Sequence, residues 1–408
     1  MKADFLPIIL GSDENAYGNA RLFAEAYGVK PLLLCTRQLV PTMFSRLFRI
    51  EVIPGFDRPE IFRSALLQVM RRESDAAEKM LVVPCIDYYA ALLSEYYDCF
   101  EGLIANRFIS KPLLDELTAK HRFYALCGEY GLPYPETLVI PPEERAQAAE
   151  RLPAGWPVVL KPENSNASAY LDCSFAGKKK VYYLHSAGEY RQTADAMTAA
   201  GYNGTLVAQE YIPGGDAALW VANAYSDADG HVRAVALGQV LLEEREPTMR
   251  GNNAAIISRY DEALMTQIKD FLESIRYVGF SNLDMKVDAR TGKIVFFELN
   301  PRLARTSFFL RAAGFNIMRT FAEDVVYGRR EDCVFVDSAA LWRNVPMFVL
   351  KKYVQDRKLL EEAETLARAG KSLCTRYCRE DRSIRRTLKM LRYDAAQVRS
   401  FLRWFSAD

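Results

Sequence analysis

The chain has 408 residues, 50% of them hydrophobic and 26% charged, which is the profile of a globular protein large enough for two or three domains. Its 53 Lys and Arg against 52 Asp and Glu give no reason to expect a nucleic-acid partner. No stretch reaches the roughly 18 apolar residues of a membrane span, and the apolar run at 5–10 stops at Gly11-Ser12-Asp13, too soon for a signal peptide, so a cytoplasmic enzyme is expected.

In chain order, residues 6–10, 31–35, 51–53 and 81–84 are short apolar or β-branched runs, with a helical apolar spacing at 15–27 that aligns Ala16, Ala20, Phe23 and Ala24. This alternation predicts a parallel sheet flanked by helices. The turn from Gly11 to Asn15 follows the first strand, where open α/β sheets bind ligands, but it lacks a GxGxxG fingerprint. A helix cap by Asp13 or Asn15 accounts for it equally well. One helix is predicted over 111–130, ended by Gly131-Leu-Pro133-Tyr-Pro135. Strands follow at 158–160, 206–209, 234–242, 285–287 and 294–299, joined by polar turns that suit an antiparallel α+β arrangement. After Gly328 the pattern becomes helical and basic, with 15 basic and 8 acidic residues over 351–408. The resulting domain expectation is 1–110, 111–330 and 331–408. The eight cysteines form no CxxC pair; Cys374 and Cys378, one helical turn apart, are expected to be reduced thiols rather than metal ligands.

Three segments carry chemistry. The first is Asp284-Met-Lys-Val-Asp288, a turn at Thr291-Gly292, then Ile294-Val-Phe-Phe-Glu298-Leu-Asn300-Pro-Arg302. Glu298 and Asn300 are two apart on a strand and so share a face, and a tight turn brings Asp284 back toward them. Asp, Glu and Asn supply the hard oxygens that Mg²⁺ prefers. A polar hairpin rim is the plainer explanation; Phe296 and Phe297 argue for a buried strand, in which carboxylates need a cation. The second is Trp156-Pro-Val-Val-Leu160-Lys161-Pro162, where a lysine closes an apolar strand and calls for an anion such as phosphate, unless it reaches water. Asn164 to Ala169 is small and polar enough for a flap over phosphates, and Lys178-Lys-Lys180 either closes it or forms a solvated turn. The third runs Gln209-Glu210-Tyr211-Ile212-Pro-Gly-Gly-Asp216. Its backbone suits an adenine edge and Asp216 a ribose, although an ordinary strand–turn connection would look the same.

In this order the segments resemble the ATP-grasp superfamily of carboxylate–amine ligases, over roughly residues 5–330. The resemblance implies an ATP-grasp fold, mixing α/β and α+β, with an N-terminal parallel-sheet domain and a helical C-terminal tail. It adds Lys120 to Lys161 as a phosphate ligand. It assigns Glu210, Tyr211 and Ile212 to adenine, with Glu210 and Ile212 acting through their backbones, and Asp216 to ribose. Asp284, Glu298 and Asn300 become ligands of Mg²⁺, with Mn²⁺ as the alternative ion. Family members convert a carboxylate to an acyl phosphate that an amine displaces, and Arg302, Arg305 and Arg250 are the candidate clamps for it. Asn282 departs from relatives that carry arginine there.

The opening Leu10-Gly-Ser-Asp13-Glu-Asn-Ala-Tyr17-Gly18-Asn-Ala-Arg21, together with Glu51-Val-Ile, Pro59-Glu-Ile-Phe62 and Phe348-Val-Leu-Lys-Lys-Tyr353, resembles bacterial D-aspartate ligases more closely. That resemblance implies D-aspartate as the acid and the lysine amine of a nucleotide-linked peptidoglycan precursor as the acceptor. The basic tail at 383–405 mixes Ile384, Leu388, Leu391, Phe401, Leu402, Trp404 and Phe405 with arginine and lysine, which suits docking on the catalytic core or peripheral contact with an anionic membrane or precursor. A homodimer is among the assemblies to be tested. The competing function is a nucleotide-gated binding module or phosphotransferase that makes no amide.

Overall fold

The computed structural model describes residues 2–153, 155–163, 168–246, 249 and 251–405. Contacts divide it into a larger unit of Met1–Leu114, Asp216–Leu283 and Asn300–Asp408, and a smaller one of Asp115–Gly215 and Asp284–Leu299.

The larger unit begins with strands β1 (Ala3–Leu10), β2 (Leu32–Cys35), β3 (Arg49–Val52) and β4 (Ala77–Pro84). They form a parallel sheet in the order β3-β2-β1-β4, with Ile8 opposite both Leu32 and Val82. Side chains alternate faces along a strand, and β1 is buried on both. Phe5 and Ile9 pack with Ala16, Ala20 and Phe23 of the helix Glu14–Tyr27. Leu6, Ile8 and Leu10 pack on the other side with Phe62, Leu66 and Val69 of the helix Pro59–Glu73. Asp13 settles the cap question, because its Oδ1 accepts from the Ala16 amide at 3.0 Å. Gly28 ends the same helix at φ 66°, a left-handed position that suits glycine.

The smaller unit holds β5 (Thr137–Ile140), β6 (Val158–Pro162), β7 (Tyr182–Leu184) and β8 (Leu206–Glu210), antiparallel in the order β5-β8-β6-β7. Val158, Leu160, Leu206 and Ala208 share one face and bury against Tyr190, Ala194 and Met197 of the helix Ala187–Ala199. Lys161 and Gln209 therefore project from the other face. There Gln209 donates to the Tyr124 hydroxyl at 2.8 Å, and that hydroxyl donates to the Phe297 carbonyl at 2.8 Å. The single helix predicted over 111–130 is two, Lys111–Thr118 and Lys120–Glu129, broken at Ala119 with ψ 113°. Alanine and lysine both favour helix, so nothing local signals the break; it makes Lys120 the first residue of a new helix.

A second sheet, most of whose strands are in the larger unit, contains β9 (Leu219–Ser226), β10 (Val232–Glu243), β11 (Asn253–Arg259), β12 (Gly279–Val287), β13 (Ile294–Asn300), β14 (Val334–Phe335), β15 (Leu341–Arg343) and β16 (Ser372–Leu373). Its order is β13-β12-β9-β10-β11-β15-β16, with β14 beside β10. Strands β12 and β13 carry the chain out of this unit at Leu283 and back at Asn300. The stretch after Gly328 is thus not purely helical. Runs of two and three residues are too short to display a strand period, and only pairing with β10 and β11 makes them strands.

The C-terminal helix Ile384–Trp404 docks within the larger unit through Arg386, Met390 and Phe401. The Arg386 guanidinium donates to the Pro41 and Met43 carbonyls at 3.0 and 2.8 Å and pairs with Asp381 at 2.9 Å. Ile384, Leu388, Leu391 and Leu402 remain exposed. Among the described residues no helix is long and apolar enough to cross a membrane. All eight cysteines are free thiols.

Candidate active site

In the smaller unit the helix break at Ala119 and the end of β6 bring two lysines close enough to repel. Lys161 is only partly exposed. Desolvation, then the charge of Lys120, lowers its pKa to about 7, with Glu298 pulling the other way. Lys120 Nζ lies 3.7 Å from Glu298 Oε2. No described acidic side chain forms an ion pair with Lys161. Two cations held together without a matching pair of anions form a receptor for an anion with several oxygens.

Glu298 is not buried as its strand neighbours suggest. Its side chain is 44% exposed and Phe297 only partly buried, although Phe296 is fully enclosed. Burial therefore does not force a metal onto this carboxylate; its place beside the phosphate-type lysines is the better argument. Asp284 lies on β12, adjacent to β13 with Glu298 and Asn300. Among the described residues no cluster of three or more His, Cys, Asp or Glu is arranged for a metal. Asp284 and Glu298, both in the smaller unit, offer two carboxylates, which suit Mg²⁺ because that ion keeps waters and shares phosphate oxygens.

Asn282 has a role that its departure from arginine concealed. Its Nδ2 donates to the Ala222 carbonyl and its Oδ1 accepts from Asn300 Nδ2, both at 3.2 Å. That bond commits the nitrogen of Asn300 and turns its Oδ1, the ligand-type atom, to the opposite side of the amide. Were Asn300 to hold a metal, Asn282 would be the residue that orients it.

For the nucleotide segment, the Glu210 amide donates to the Glu136 carbonyl at 2.8 Å, so the Glu210 N–H is spent inside the sheet. The Glu210 carboxylate is held by Arg290, a residue sequence reasoning did not single out. Ile212 is buried, and Tyr211 is flanked by the Tyr183 ring and the Lys286 ammonium. Lys286 was legible as the residue two beyond Asp284 on the same face of β12.

Asp216, Arg302 and Arg305 belong to the larger unit. Asp216 accepts from the Glu243 amide at 2.9 Å and from Arg245 at 2.7 Å; each oxygen keeps a second lone pair for a ribose hydroxyl. Arg302 meets Asp87 through two 2.8 Å contacts, Nε to Oδ1 and Nη2 to Oδ2. Asp87 opens the helix after β4 and carried no signal in the sequence. Arg305 lies 3.6 Å from Glu244 and donates to the Asn253 carbonyl at 3.2 Å. Arg250 and the flap residues 164–167 lie outside the described residues.

Solved structures with this arrangement of strands are ATP-grasp enzymes. N5-carboxyaminoimidazole synthetase from Staphylococcus aureus complexed with ADP aligns at TM-score 0.61 over 89% of this chain and 86% of its own, at 13% identity. L-amino acid ligase from Bacillus licheniformis aligns at 0.56 over 81% and 76%, at 14% identity. The fold is thus that of the ATP-grasp ligases. No family model matches the sequence. The D-aspartate ligase of Enterococcus faecium (strain Aus0004) is 38% identical over 399 residues, 95% of this chain and 93% of that one. The chain belongs to the D-aspartate ligase family and is an amide-forming acid–amine ligase.

Proposed function

We propose that this protein uses ATP and Mg²⁺ to activate the β-carboxylate of D-aspartate and joins it to the lysine side-chain amine of a nucleotide-linked peptidoglycan precursor in the cytoplasm. The observation that carries the ATP part is the Lys120–Lys161 pair, whose mutual repulsion is relieved when phosphates lie between them. The acid rests on the relationship to the Enterococcus enzyme.

In this reading Lys120 and Lys161 hold the phosphates. Glu210, Tyr211 and Ile212 meet adenine, the first through its carbonyl, and Asp216 meets ribose. Asp284, Glu298 and Asn300 bind Mg²⁺, which when bound neutralises phosphate charge and aligns the triphosphate; Mn²⁺ is the expected substitute. A carboxylate oxygen attacks the γ-phosphorus and ADP leaves. The amine nitrogen then attacks the acyl carbon, the C–O bond to phosphate breaks, and the nitrogen loses a proton to give the amide. Arg302, aligned by Asp87, stabilises charge on the acyl phosphate, with Arg305 and Arg250 as the other candidates for that role. Positioning and charge compensation suffice, and no protein nucleophile is required.

The test is ADP release by purified protein against D- and L-amino acids, with and without amine acceptors. Turnover that requires both D-aspartate and an acceptor is expected. Turnover independent of any acid, or none with any pair, would support the binding-module or phosphotransferase reading instead.

The pKa of Lys161 gives a second expected result. Without nucleotide the lysine is losing its proton near pH 7, whereas bound phosphate favours the ammonium and raises that pKa. Metal on Glu298 removes the one influence that raises the apo pKa and so opposes this rise, but the magnesium–ATP complex keeps a net negative charge beside Lys161 and the shift remains upward. Nucleotide binding then takes up a proton, and affinity should fall up to about tenfold per pH unit from roughly pH 7 to 9. Calorimetry at pH 8 in buffers of different ionisation enthalpy reads the proton directly. Lys161→Arg, always charged, should bind without this dependence; equal slopes in both proteins would exclude Lys161 as the source.

A further inference from the structure

Glu244 follows the end of β10, where the register to β11 slips twice, between Val240 and Leu242 and between Leu242 and Glu243. Such bulges re-aim the side chains beyond them. Glu244 is 4% exposed, and its amide donates to the Asn252 carbonyl at 2.8 Å. Its Oε1 stands 3.6 Å from Arg305 Nη2, outside hydrogen-bond reach, and this buried oxygen has no hydrogen-bond partner. Arg305 Nε is buried and equally without an acceptor. Burial pushes the Glu244 carboxyl above its usual range, with Arg305 as the largest opposing influence.

The C-terminal helix bounds the same place. Tyr393 lies within the fields of Glu14, Arg376 and Arg305 and is hydrogen-bonded to Gln397. Gln397 Oε1 is again buried without a donor. Buried polar groups normally find partners, so an ion pair too long for a hydrogen bond, with Glu244 Oε1 and Arg305 Nε both left over and Gln397 Oε1 left over beside them, calls for a ligand carrying both signs. A phosphate would meet Glu244 and a plain amine would meet Arg305. An α-amino acid offers an ammonium to one and a carboxylate to the other.

We propose that Glu244 and Arg305, bounded by Tyr393 and Gln397 of the C-terminal helix, take the α-ammonium and α-carboxylate of the amino acid substrate, leaving its distal carboxylate to be activated near Arg302. This rests on the function proposed above. It gives the C-terminal helix a part in substrate choice, with Glu244 as the residue that demands an amino group.

The experiment uses the full-length protein with MgADP. Binding of D-aspartate, L-aspartate and succinate is measured by calorimetry, alongside ADP release with D-aspartate. Wild type should bind D-aspartate and discriminate against succinate, which lacks the ammonium. Glu244→Gln should weaken D-aspartate binding about 30-fold or more and narrow the gap to succinate, with nucleotide affinity and melting temperature unchanged. Tyr393→Phe should raise the KM for D-aspartate several-fold without altering that for ATP. Unchanged D-aspartate affinity in Glu244→Gln, or equal wild-type affinity for D-aspartate and succinate, overturns the proposal. If Glu244→Gln does not fold, the succinate comparison in wild type and the Tyr393→Phe kinetics still decide it. Failure of the proposed function shows separately, as wild-type ADP release that no amino acid stimulates.

Discussion

Glu298→Gln is expected to reduce ADP release more than about 100-fold while leaving the fold intact. Loss of an outer-shell partner of a metal ligand already costs 10- to 100-fold, and this substitution removes the charge of a proposed ligand itself. Glutamine is nearly isosteric, and the Lys120–Glu298 pair lost with the charge has a 3.7 Å separation and a 44% exposed carboxylate, so it adds little to stability. Because Glu298 is the one influence raising the Lys161 pKa, the variant should also make Lys161 lose its proton more readily. Steady-state turnover and a thermal melt are sufficient measurements. Near-normal turnover in a normally folded variant would remove Glu298 from the metal assignment.

Arg376→Met is expected to destabilise the larger unit by about 3–5 kcal/mol, the range for stranding a buried charge. Arg376 is 2% exposed and sits among Glu14, whose two oxygens are both 3.0 Å from Nη1, the Asn344 carbonyl at 2.7 Å and Asp394 at 2.7 Å. Glu14 is equally buried, so methionine leaves its carboxylate without a countercharge. The double variant Glu14→Gln with Arg376→Met should recover much of the loss, because the pair as a whole is worth less than either half left alone. Urea midpoints followed by far-ultraviolet circular dichroism measure both. A single variant within about 1 kcal/mol of wild type would mean that Glu14 is hydrated or protonated instead.

These two residues mark different depths of legibility. Glu298 and Asn300 could be found from a strand period of two, and Lys161 from a charge closing an apolar run, because each signal is contained in a few consecutive residues. Glu298 is nonetheless more exposed than a strand containing Phe296 and Phe297 suggests, since exposure depends on what covers a strand. Asn282 was visible only as a departure from relatives. Its hydrogen bond to Asn300 depends on β12 and β13 lying side by side. Asp87 and Arg302 are separated by 215 residues, and Glu14 and Arg376 by 362, so no local pattern announces either pair.

The sequence by itself determined the segment from Asp284 to Arg302 as a strand pair with hard oxygens, the parallel sheet at the N-terminus, and membership in an acid–amine ligase family. The first two follow from side-chain alternation, apolar periodicity and residue chemistry, which act over short distances along the chain, and the third from the resemblance of the ordered motifs to that family. Only the tertiary structure decided that Ala119 breaks a helix and starts a new one at Lys120, that Lys161 sits within the field of Lys120, and that the tail contributes strands as well as Arg376. Each of these depends on desolvation or on a partner distant in sequence, and both arise only when the chain has packed.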